Sequence, residues 1–298
     1  MRKVNELISS TVTRRNFLAG AGTAAALTAV GCNKNNFQPG TPPSQPGQAP
    51  AITDADILNF ALNLEYLEAS YYLIAATGKG VPAADQGNNA GVVTGGSQVP
   101  FANGFQAEYA CEIAQDELNH VRFLRSALGS SAASMPAIDL VSSFNKLASA
   151  AGIGASFNPF ESYENFLLGA FIFEDVGVTA YTGAATLLTN KTYLDAAAGI
   201  QAVEAYHAGE IRTLINLAGR PYIDIANQIS ALRATLGGGN ETPLSLTSVV
   251  AADSTNAIAF SRTTDQVLQI VYGLVGGNVS SGLFFPLGLN GTIKSTTP

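Results

Sequence analysis

The chain contains only two histidines, and each lies three residues after a glutamate: Glu117 and His120 in "DELNH", Glu204 and His207 in "VEAYH". Residues three apart are neighbours on one face of a helix, so each frame can aim a carboxylate oxygen and an imidazole nitrogen at one point. The flanks decide where that face turns. "LNLEYL", "FIFEDVGV" and "IQAVEAY" surround their glutamates with core-forming residues. A carboxylate buried in such company is tolerable only if something positive meets it.

Four long helices carry these acids. The first begins after a cap at Thr53-Asp54-Ala55-Asp56 and runs to a stop at Gly78. The second spans about 104–128 and stops at Gly129. Asn158-Pro159 predicts the start of the third, which continues to about Thr189. The fourth runs from about Thr192 to "LAGRP", Leu217 to Pro221. A glycine-rich insertion, 77–103, follows the first helix and has room for a short hairpin. A long connection, 130–158, holds a short helix near 140–150. The reading is all-α: a four-helix bundle over 53–220 with a long crossover, then a helical and irregular extension over 221–298 with helices near 222–236 and 264–274.

Placed on these helices, the acids fall in the order Glu65, Glu117-x-x-His120, Glu174, Glu204-x-x-His207. Tyr72 follows Glu65 by seven residues, and Tyr181 follows Glu174 by seven. The two helix pairs therefore repeat each other, which implies a pseudo-twofold axis through the core. Four carboxylates balance the charge of two divalent cations, and two imidazoles complete a ligand set suited to a dinuclear iron or manganese centre. Glu68, one turn from Glu65, is the rival ligand on the first helix, and the tyrosine spacing selects Glu65. Tyr72 and Tyr181 are candidates to orient the ligands through their hydroxyls. Asp116 and Asp175, each beside a ligand, are candidates for the same work or are simply surface acids. The alternative is a metal-free core of ion pairs, for which these helices offer few lysines or arginines.

The N-terminal residues read as targeting. "TRRNFLAG", Thr13 to Gly20, places twin arginines before a short apolar run from Ala19 to Val30, too short for a resident membrane helix. The pattern resembles a Tat export signal. "AVGC", ending at Cys32, resembles a lipobox and would make Cys32 a lipidated N-terminus in the cell envelope; the alternative is a soluble periplasmic protein cut nearby. Residues 33–52, rich in proline, glycine and glutamine, form a flexible tether. Cys111, the other cysteine, reads as a small buried residue. The formal charge is −7, and no basic cluster lies beyond the signal, which argues against a nucleic-acid partner.

"LNLEYLEASYY", "DELNHVRFLRSALG" and "FIFEDVGVTAYTGAA" resemble the ferritin-like superfamily, and within it the family that includes plant desiccation-related proteins and exported bacterial relatives. "AFSRTTDQVLQIVYG" and "GLFFPLGLNG" are similar to that family's C-terminal signature. The resemblance implies the bundle and its metal centre but no defined substrate. The chemistry expected is a reaction with oxygen or peroxide, as a ferroxidase, peroxidase or catalase-like stress-protection enzyme. The alternative is a metal-braced structural protein of the cell envelope protecting against water loss. The tether, the insertion and the C-terminal extension argue against a closed storage cage of two dozen subunits.

Overall fold

The computed structural model describes residues 51–298. The segment expected to be an export signal, Cys32 and residues 33–50 of the expected tether lie outside the described residues. The four bundle helices are α1 (Asp54–Thr77), α3 (Gly104–Leu128), α5 (Tyr163–Ala185) and α6 (Lys191–Ala218). Between α1 and α3 lie the short α2 (Ala83–Gln86) and the strand β1 (Val93–Thr94). Between α3 and α5 lie β2 (Ile138–Asp139) and α4 (Ser142–Ala150). The extension carries α7 (Arg220–Gly237) and α8 (Thr264–Tyr272). The four-helix, all-α reading holds.

Helix α1 opens with a capping box, in which Thr53 and Asp56 each satisfy the other's backbone N–H, and closes on Gly78 at φ 73°. It packs most extensively on α3, and α5 on α6, as the repeat requires. α1 and α5 are buried almost all round, while α3 and α6 bury only one stripe. The reason is the extension. Phe284 packs on Phe144 and Phe173, with ring centroids 5.2 and 5.0 Å apart. Asn63 of α1 and Asn290 exchange two hydrogen bonds of 2.9 Å. The central helices are thus covered on the face turned away from the bundle axis.

Three local expectations are corrected. The 77–103 insertion forms no hairpin; its strand β1 pairs in parallel with β2, Val93 opposite Ile138, tying the insertion to the long connection. Helix α5 starts after Ser162, whose hydroxyl accepts from the Asn165 N–H, and not at Pro159. There the Asn158 side chain accepts from the Phe160 N–H and closes a turn instead. Cys111 is exposed, because it lies off the buried stripe of α3 defined by Ala110, Ile113, Ala114 and Glu117.

Candidate metal centre

Glu65 and Glu68 come from α1, Glu117 and His120 from α3, Glu174 from α5, and Glu204 and His207 from α6; all seven side chains are buried. The structure brings the six expected ligands together in two adjoining groups. In the first, Nδ1 of His120 lies 3.2 Å from Oε2 of Glu65, 3.3 Å from Oε2 of Glu117 and 3.5 Å from Oε1 of Glu204. In the second, Nδ1 of His207 lies 3.0 Å from Oε1 of Glu117 and 3.6 Å from Oε2 of Glu174. Glu117 belongs to both, one oxygen in each.

A cation fits this arrangement better than protons do. An imidazole nitrogen carries one hydrogen, yet Nδ1 of His120 faces three carboxylate oxygens. Oε2 of Glu65, Oε1 of Glu117, Oε2 of Glu174, both oxygens of Glu204 and Nδ1 of His207 are buried without a hydrogen-bond partner. A buried polar atom left unpaired costs about 1–3 kcal/mol, and more when charged. Among the described residues no lysine or arginine pairs with these glutamates. Oxygen and imidazole donors of this kind can hold a divalent metal ion.

The electrostatics of the cation-free centre point to the same need. Burial, reinforced by neighbouring carboxylates, lifts Glu204 and Glu68 well above the usual carboxylate range. Burial raises Glu65 to about 7 against the pull of His120, and raises Glu174 in the same way against His207. Glu117 is the exception: burial pushes it up, but the two imidazoles facing it prevail and hold it down at about 2. Burial would lower the two imidazoles, yet the carboxylates facing them win. Both are raised, His207 to about 12.

The tyrosines cross the pseudo-twofold axis. Tyr72 of α1 donates to Oε1 of Glu174 on α5, and Tyr181 of α5 donates to Oε1 of Glu65 on α1. Each hydroxyl holds one oxygen of a glutamate whose other oxygen faces a histidine. Nε2 of His207 lies 3.3 Å from Oδ2 of Asp116. Glu68 stands outside both groups, and among its neighbours Glu204 repels it most strongly. Asp175 does not orient a ligand: its Oδ2 accepts from Arg212 at 2.8 Å and from Arg233 at 2.7 Å, and Glu241 joins Arg233 to Arg262.

That buried arginine network escaped the sequence reading, although a signal for it exists. An arginine follows each histidine by five residues, Arg125 and Arg212, and each meets the residue after a ligand glutamate. Arg125 donates to the Tyr66 hydroxyl at 2.8 Å, and Arg212 donates to Asp175. Gly177 also escaped notice. A Cβ there would overlap Oε2 of Glu204, so glycine makes the room that carboxylate occupies.

The profile of the ferritin-like domain family matches residues 53–217. The desiccation-related protein PCC13-62 of Craterostigma plantagineum is 30% identical over 169 residues, 55% of this chain; the match spans about half of that relative's length, 53%. The ferritin-like catalase Nec2 of Nesocodon mauritianus is 27% identical over 288 residues, covering 84% of this chain and 90% of the relative. No solved structure matches the chain.

Proposed function

Given that the chain belongs to the ferritin-like domain family, we propose that Glu65, Glu117, His120, Glu174, Glu204 and His207 hold two iron or manganese ions and that the loaded protein decomposes peroxide. The observation that carries this reading is the shared Glu117, one oxygen in each group of unpartnered buried donors. A pair of reducible ions supplies two-electron chemistry, which peroxide breakdown to water and oxygen requires. Tyr72 and Tyr181 fix Glu174 and Glu65 from across the bundle, so the donors are set before ions arrive. Burial of all six donors keeps bulk water from the centre. A relative named as a catalase, aligned over most of both chains, supports peroxide over other substrates.

The test is to load purified protein with Mn(II) or Fe(II), count ions by elemental mass spectrometry and add peroxide. Two ions per chain and continuous oxygen release are expected. The name of the desiccation-related relative favours a second reading, in which the ions brace four helices without turnover. Two ions with no oxygen release would select it. The twin-arginine segment and Cys32 support export and a lipid anchor; an intact-mass measurement of native protein showing an acylated N-terminus at Cys32 tests both.

A further inference from the structure

The two halves of the centre are repeats, yet they differ where it matters for binding. The His120 group gathers four donors, Glu65, Glu117, His120 and Glu204, three of them carboxylates; the His207 group gathers three, Glu117, Glu174 and His207. Attraction for a divalent cation is therefore greater at His120. The second difference lies one residue before each Glu-x-x-His frame. Asp116 precedes Glu117, and Val203 precedes Glu204. Across the bundle, Oδ2 of Asp116 lies 3.3 Å from Nε2 of His207. A carboxylate there takes the Nε2 hydrogen, fixes the tautomer with Nδ1 bare, and turns that nitrogen toward Glu117 and Glu174. A valine in the matching place offers His120 no such partner.

We infer that the two ions bind unequally: the position at His120 fills first through its extra carboxylate, and the position at His207 fills second and depends on Asp116 as a positioning residue. The inference rests on the dinuclear reading above. Asp116 touches no ion itself. Its side chain is 40% exposed, so its removal leaves no hole in the core.

The experiment titrates the metal-free chain with Mn(II) under nitrogen, following heat and the electron paramagnetic resonance signal together. Two separated steps are expected: an isolated-ion signal in the first, its conversion to a coupled-pair signal in the second. Asp116→Val, which gives both halves an apolar residue before the frame, should leave the first step unchanged. It should weaken the second step by about 10–100-fold. Asp116→Glu should recover part of the loss, a result that a merely structural role would not give. His207→Ala should keep the first step alone. Equal binding in one step would overturn the inference, as would Asp116→Val weakening both steps alike or neither. Failure of the wild-type chain to bind Mn(II) at all would instead overturn the dinuclear reading.

Discussion

The hydroxyl of Tyr72 bonds Glu174 on the opposite helix, while Glu65, seven residues before Tyr72 on its own helix, is bonded by Tyr181. Each half of the repeat therefore holds the other's ligand. Tyr72→Phe or Tyr181→Phe should lower metal affinity by about 10–100-fold through loss of ligand orientation. Either change should also destabilise the metal-free protein by about 1–3 kcal/mol, because a buried carboxylate oxygen loses its donor. Calorimetric Mn(II) titration and thermal melts measure the two effects separately.

Glu117 is the residue common to both donor groups. Glu117→Gln keeps the side-chain shape and removes the charge that both imidazoles rely on. The ion count should fall below two per chain by elemental mass spectrometry, whereas Glu68→Gln should leave it at two.

Gly177→Ala separates fold from centre. Alanine favours the helix by about 1 kcal/mol over glycine. Its Cβ, however, takes the place of Oε2 of Glu204, the end of a flexible side chain that can swing aside. The melting temperature of the metal-free protein should hardly change, while Mn(II) affinity should drop at least tenfold.

The metal-free centre has a definite pH signature. A carboxyl raised from 4.5 to about 7, as in Glu65, contributes stability below pH 4.5 that is lost as pH rises through 7. His207, raised from 6.5 to about 12, continues the loss at higher pH. Glu117, lowered to about 2, acts in the opposite sense: its contribution is present above pH 4.5 and lost as pH falls through 2. Melts of metal-free protein should decline from pH 5 upward, and loading with Mn(II) should flatten the profile. Because ions displace the bound protons, Mn(II) affinity should rise over the same interval.

Asp175→Asn leaves Arg212 and Arg233 buried without their shared carboxylate. Breaking a buried pair from one side costs about 3–5 kcal/mol. The melting temperature should fall sharply, yet surviving folded protein should still carry two ions, since Asp175 faces away from the centre.

The bundle and its donors were legible because a helix enforces its own spacing. Once Glu-x-x-His recurs twice and Tyr follows Glu by seven twice, the faces are determined by 3.6 residues per turn. The second helix, 104–128, was readable to the residue because a glycine stops it. The start of α5 was not, since Asn158-Pro159 and Ser162 are both competent caps and only tertiary packing chooses between them. Strand β1 was invisible for a related reason: two residues carry no period, and its partner β2 lies forty-five residues away. Asp175 looked like a companion of Glu174 because adjacency in sequence is not adjacency in direction. On a helix the next residue points about 100° away, here toward arginines contributed by α6 and α7.

The paired amides of Asn63 and Asn290 set an order of events for biosynthesis. Asn63 stands two residues before Glu65 and finds its partner 227 residues later. While the ribosome is still making that distant segment, the first ligand helix has an uncovered greasy side, and the Asn63 side-chain oxygen lacks the backbone N–H of Asn290 that it accepts from. Full covering of the helix that carries Glu65 therefore waits for translation of the extension, and a chain stalled before residue 290 would leave that helix side open to water.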